Sequence, residues 1–284
     1  MAAGAAGAGD PYFPELGNGG FDVSHYLLEL TVAANGRLNG VATITATAAH
    51  AMESFHLDFH SMEVAAVAVD GNPAGFTRRD DELIVAPATP LAAGVEFSVR
   101  VEYSGTPEPI IDPDLFALGW NTLPDGSYVV SEPNGAHTWF PGNDHPSDKA
   151  AFTFEITVPA GRVVAANGSL VEQRTTATTS TFVWQEDDPM ATAMATVAIG
   201  DLRRVETDGP EGVVVRHYLP GQTELPEAFA ATGEMISVLA GLFGPYPFEE
   251  YGMVVVPDPN FWAALETQTL SVFGERLLDA PILE

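Results

Sequence analysis

Few residues in this sequence have the types and spacing that chemistry needs. Two histidines four apart, His56 and His60 in "HLDFH", could grip one metal ion if they stood on a helix. Their surroundings, "MESFHLDFHSMEVAAVAVDG", read as strand, and four residues of strand separate two side chains by ~13 Å, too far for one ion. The rest of the seven histidines are scattered, H-E-x-x-H does not occur and cysteine is absent, so no metal ligand set is identified. A nucleophile elbow, a P-loop and a dinucleotide fingerprint are absent too. What does stand out is a carboxylate. In "NFWAALETQTLSVF", Asn260 to Phe273, the run from Phe261 to Phe273 reads as one strand with Glu266 in its middle. On period-2 alternation Glu266 shares a face with Trp262, Ala264, Leu270 and Val272, so the side suited to burial also carries a charge.

The second candidate is "SEPNGAHTWFPGNDHPSDKAAFTFEITVP", Ser131 to Pro159. Its glycines, prolines and Asn143-Asp144 make a long irregular loop that feeds a strand, and long structured loops on a rigid β scaffold often carry function. On its own Glu132 reads as one more exposed acid. Asp144 and Lys149 read as serving the loop, the first as a turn-forming carboxylate and the second as a local charge partner.

The elements that must position these residues come in two styles. From about Phe21 to Leu202 the chain repeats short β-rich runs such as "HYLLELTVAA", "FSVRVEYSG" and "AFTFEITVP". Asn35-Gly36, Asn39-Gly40, Asp70-Gly71, Asp125-Gly126 and Asn167-Gly168 read as the tight turns between them. This is the signature of an antiparallel β-sandwich. Asn167-Gly168-Ser169 also matches a glycosylation acceptor, and a hairpin turn is the simpler reading. After about Val205 comes a strand, "GVVVRHYLP". Then "TELPEAFAATGEMISVLAGLFG" places Leu225, Phe229, Ile236, Leu239 and Phe243 at helical spacing, with Thr223 as N-cap and Gly244 as stop. "YGMVVVPD" and the Glu266 strand follow, opening an α+β domain. The expected division is a flexible tail over 1–20, a β-sandwich over 21–205 and an incomplete second domain over 206–284.

Composition narrows the partners. With 39 acidic against 11 basic residues the formal net charge is −28, which repels phosphate backbones and argues against nucleic acid. No apolar run approaches the ~20 residues of a membrane span, and the opening "MAAGAAGAGD" does not read as a signal peptide.

The loop resembles the M1 family of zinc aminopeptidases, in the segment running E-x-x-x-A-R-x-x-F-P-x-x-D-x-P and then K-x-x-F. Glu132, Ala136, Phe140, Pro141, Asp144, Pro146, Lys149 and Phe152 occupy those places, and His137 stands where the family has arginine. "AALET", Ala263 to Thr267, resembles the family's G-A-M-E-N exopeptidase motif, with Ala264 and Glu266 identical. The resemblance implies a mainly β chain: a saddle-like N-terminal β-sandwich, then the start of a thermolysin-like α+β catalytic domain. It implies a peptide substrate with a free N-terminus, its amine held by Glu266 and Glu132 and its backbone paired with Ala263, Ala264 and Leu265. It implies Zn2+ as cofactor, polarising the scissile carbonyl and activating water, with its ligands and the catalytic residues expected beyond Glu284. Two other readings remain at this point: a non-catalytic β-sandwich interaction module, and a family relative that has lost its metal.

Overall fold

Alternating apolar and polar side chains drive strand formation, and the computed structural model, which describes residues 2–112 and 116–279, resolves them into four sheets. Strands are numbered in chain order. The largest sheet holds β2 (Phe21–Val32), β3 (Leu38–Ala48), β5 (Glu63–Val69), β6 (Asn72–Pro73), β9 (Glu96–Gly105), β13 (Lys149–Pro159), β15 (Ser169–Thr175) and β16 (Thr179–Ala191). Their spatial order is β15-β16-β13-β2-β3-β9-β5-β6. A second sheet, ordered β1-β4-β8-β7, consists of β1 (Ala2–Ala3), β4 (Met52–Asp58), β7 (Gly75–Arg79) and β8 (Glu82–Ala86). The third, ordered β10-β11-β12-β17-β14, consists of β10 (Ile110–Ile111), β11 (Ala117–Leu123), β12 (Gly126–Val130), β14 (Val163–Ala166) and β17 (Val197–Gly200). The fourth, ordered β18-β19-β20-β22-β21, consists of β18 (Leu202–Thr207), β19 (Val214–Pro220), β20 (Glu250–Val256), β21 (Ala264–Leu265) and β22 (Ser271–Gly274).

The first three sheets form the β-sandwich. Its strands are antiparallel except for two pairs, β2 with β13 and β1 with β4, which run parallel. In β2 the inward positions shift from Phe21 and Val23 to Tyr26, Leu28, Leu30 and Val32, because a bulge at Ser24 breaks the register against β3. One apolar core joins these sheets to Tyr218, Val254 and Val272 of the fourth and to Leu270 just before β22. Residues 2–20, read from sequence as a free tail, are tied down: Ala2–Ala3 pairs with β4, and the Asn18 side chain donates to Asp58.

Most Asn-Gly and Asp-Gly steps are turns, but Asn39-Gly40 is not. Both residues lie inside β3, where a Cβ on Gly40 would sit 2.3 Å from Tyr103 Cζ, so this glycine clears space for a ring.

The fourth sheet is mixed, with β19, β20 and β22 parallel. The helical segment between β19 and β20 is split into α1 (Glu227–Ala230) and α2 (Thr232–Phe243). The expected N-cap at Thr223 is wrong: Pro226 holds that place, since a proline biases the residue before it away from helix and serves well at a helix start. Gly244 ends α2 at φ 100°, as its type suggests. Phe229 and Ile236 are buried, whereas Leu239 and Phe243 are exposed together with Met235, Val238 and Leu242. No helix among the described residues is long and apolar enough to cross a membrane.

Candidate amine-binding site

Glu132 follows the end of β12, and its side chain is exposed beside the fully buried Ser131. The loop after it is held by a backbone bridge between Asp58 and Gly142 and by a buried polar cluster. Asp144 accepts from His137 twice, at the backbone N (3.1 Å) and at Nδ1 (2.7 Å), and its other oxygen accepts from the Thr192 hydroxyl (2.8 Å). Burial alone would lower the His137 pKa, but the hydrogen bond and charge of Asp144, with Asp58 and Asp81, raise it. Histidine in the arginine's place thus keeps the loop's internal pair with Asp144. Asp58 Oδ2 accepts from Gly17 N, Asn18 Nδ2 and Asp144 N, at 3.2, 3.0 and 2.8 Å. Burial and the nearby Asp144 outweigh those donors and push Asp58 up to about 8. Lys149 is not the local charge partner expected; it is exposed and makes no ion pair among the described residues.

The histidines of "HLDFH" take separate carboxylates, His56 with Glu82 and His60 with Asp81, at 3.1 and 2.6 Å. Among the described residues no group of three or more His, Cys, Asp or Glu is arranged to hold a metal ion.

Glu266 does not sit in the middle of a strand. β21 ends at Leu265, and Glu266 opens the loop of a hairpin in which Ala264 pairs with Phe273 and Leu265 with Val272. The loop turns at Thr269, which has φ 62°. A β-branched residue rarely adopts that region, at a cost of order 1–3 kcal/mol. The turn breaks the alternation that the sequence suggested: Trp262 and Glu266 are exposed, while Leu270 and Val272 are buried. Ala263 O accepts from Gly274 N at 3.0 Å, Leu265 joins the core, and β21 is the outermost strand of its sheet.

The segments that carry the two glutamates meet at one seam. Tyr128, four residues before Glu132, donates to Asp258 at 2.7 Å, and Phe261 lies against the rings of Tyr128 and Phe116. Arg216 of β19 is fully buried across the same boundary, where it pairs with Glu250, donates to Ala166 O and Gly168 O, and stacks on Trp184 at 4.6 Å. No hydrogen bond or ion pair joins Glu132 to 263–266, and among the described residues neither Glu132 nor Glu266 has such a partner at its carboxylate. The charge of Glu266 contributes, after burial and against a hydrogen bond from Ser271, to the raised pKa of Tyr251.

The seam residues were missed in the sequence reading. Arg216 carries the one available signal, a cation inside the apolar run "VVVRHYLP", the same anomaly that singles out Glu266. Asn167-Gly168 read as a hairpin turn and is instead a bend that carries the chain from β14 in the third sheet to β15 in the largest; Asn167 is fully buried and its amide donates to Met194 O and Gln268 O, which occupies the glycosylation acceptor.

Comparison with known proteins fits this architecture. The Peptidase M1 N-terminal domain matches residues 23–194. The chain belongs to the M1 peptidase family. Among solved structures, an M1 zinc metallopeptidase from Deinococcus radiodurans, a variant bound to a Tyr-Ser-Ala substrate, matches with a TM-score of 0.88 at 33% identity. That match covers 98% of this chain and 65% of the other. Aminopeptidase N of Acetobacter pasteurianus is 25% identical over 86% of this M1 chain and 71% of its own length. Aminopeptidase M1-A of Oryza sativa subsp. japonica is 27% identical over 51% of this chain. The chain spans 18% of that plant relative and 14% of the putative aminopeptidase-2 of Caenorhabditis elegans, which is 24% identical over 87% of this chain.

Proposed function

We propose that this chain supplies the amine-binding end and the substrate-pairing strand of a zinc-dependent aminopeptidase that removes N-terminal residues from peptides. The observation that carries the reading is the pair of exposed carboxylates without internal partners, Glu132 and Glu266, on segments joined at one seam of an M1 chain. A free α-ammonium is the complement of two such groups, and a charge-assisted contact of this kind contributes ~1.5 to 3 kcal/mol. Because β21 is an edge, the backbone at Ala263, Ala264 and Leu265 has a side open to an extended peptide, and a strand added there antiparallel to β21 would lead its N-terminus toward Glu266. The tripeptide held by the Deinococcus relative is a ligand of the class proposed here.

The described residues do not fit a zinc site. The zinc ligands and catalytic residues are proposed to belong to the part of the relatives that this chain does not span. Within the chain, the peptidase-side unit is proposed to begin at β18, a few residues ahead of 205, since β18 pairs with β19 in the fourth sheet.

The test uses the full-length gene product and matched substrates with free and N-acetylated termini. Glu266→Ala should lower kcat/KM for the free amine by ~10- to 100-fold and leave the blocked substrate, already poor, almost unchanged. Equal cleavage of free and blocked peptides by the wild type would overturn the exopeptidase reading.

A further inference from the structure

Glu266 stands on a loop that its own hairpin secures only in part: the Thr267 hydroxyl donates to Leu270 O across the turn, and Thr267 N donates to Leu265 O. The chain reverses at Thr269 in the left-handed region, where a β-branched side chain is disfavoured, a cost that an interaction from outside the hairpin can offset. That interaction comes from the β-sandwich. Thr269 Oγ1 accepts from Gly168 N at 2.8 Å and is 3.1 Å from Glu186 Oε2, with Gln268 O at 2.7 Å as the other acceptor in reach of its proton. One residue earlier, Gln268 O accepts from Asn167 Nδ2, and Gln268 Nε2 donates to Asp188 O at 3.1 Å. Asn167 is itself fixed, its Oδ1 accepting from Thr196 N at 2.6 Å. Glu186 is buried with hydrogen-bond donors around it and, among the described residues, no cation in an ion pair. A carboxylate kept in that setting is explained by what it fixes.

We propose that Thr269 is a positioning residue for Glu266: its hydroxyl latches the hairpin loop to Gly168 and Glu186, so that the β-sandwich sets where the Glu266 carboxylate stands. This rests on the reading of Glu266 as the amine anchor. The latch also gives the β-sandwich a part in catalysis that it plays without touching substrate.

Two replacements separate the hydroxyl from the backbone. Thr269→Gly relieves the left-handed conformation and loses the hydroxyl, whereas Thr269→Ser keeps the hydroxyl. In the full-length enzyme T269G should raise KM for free-amine peptides by ~5- to 20-fold with a smaller fall in kcat, and T269S should stay within ~2-fold of wild type. Neither should change the N-acetylated substrate. Hydrogen exchange on the 284-residue chain gives a readout free of catalysis: segment 264–271 should exchange faster in T269G, while T269S and Glu266→Ala match wild type. Wild-type KM and exchange in T269G would overturn the latch while an effect of Glu266→Ala kept the amine reading. Fast exchange in T269G combined with wild-type kinetics for Glu266→Ala would overturn both the anchor and its positioning.

Discussion

At the scale of single residues, two carboxylates sharing one ammonium cannot act independently. Glu132→Ala should mostly raise KM, Glu266→Ala should affect kcat as well, and a double-mutant cycle should give a coupling of ~0.5 to 3 kcal/mol. Additive effects on kcat/KM would place the two glutamates on different parts of the substrate. Asp58 gives a prediction on stability. Its carboxyl, raised from 3.8 to about 8, keeps a proton in the folded chain that the unfolded chain has released. Its contribution is therefore fully present below pH ~4 and is lost as pH rises toward about 8. Chemical denaturation across that range should show stability declining with pH in the wild type, and Asp58→Asn should flatten the decline. An unchanged slope in the variant would mean that Asp58 is ionised throughout. Glu266 drew notice in the sequence as a charge in an apolar run, whereas Glu132 read as one more exposed acid until the loop's resemblance to the M1 family singled it out. Thr269 was not legible, because nothing in a threonine announces a backbone that glycine would adopt more readily.

Among the elements, period-2 runs revealed the β-sandwich strands, and Phe229 and Ile236 revealed the buried side of the helical segment. The parallel pairing of β2 with β13 was hidden, since more than a hundred residues separate the partners and alternation carries no direction. The hairpin around Glu266 was taken for one strand because Thr267 and Thr269 have β-forming side chains; hydrogen bonds from another sheet override that preference. Arg216 is the other element-scale device, a cation from β19 inserted beneath β14. Arg216→Met leaves Glu250 without its partner and frees the carbonyls of Ala166 and Gly168. Urea unfolding should show a loss of about 3 kcal/mol, with Glu250→Gln in the same chain recovering part of it. A loss within error would show that stacking on Trp184 and packing suffice.

For the whole molecule, the β-sandwich and the sheet whose hairpin loop carries Glu266 share one core, so the two halves of the proposed amine site are joined by packing, with no zinc set among the described residues. The 284-residue chain alone is expected to hydrolyse no aminoacyl-anilide with zinc supplied and to retain no stoichiometric metal. One bound zinc together with turnover would refute that. Its exposed helix face has a further consequence. Leu242 and Phe243 are 72% and 84% exposed, with Met235, Val238 and Leu239 beside them, on a chain whose formal charge is −28. Long-range repulsion and short-range attraction then compete in solution as they do between colloidal particles. At low ionic strength the charge keeps copies apart. Near 1 M salt the screening length falls to about 3 Å, and the apolar faces can approach. The osmotic second virial coefficient of the isolated chain, measured by static light scattering, should pass from positive to negative as salt rises, and Leu242→Glu with Phe243→Ser should keep it positive throughout.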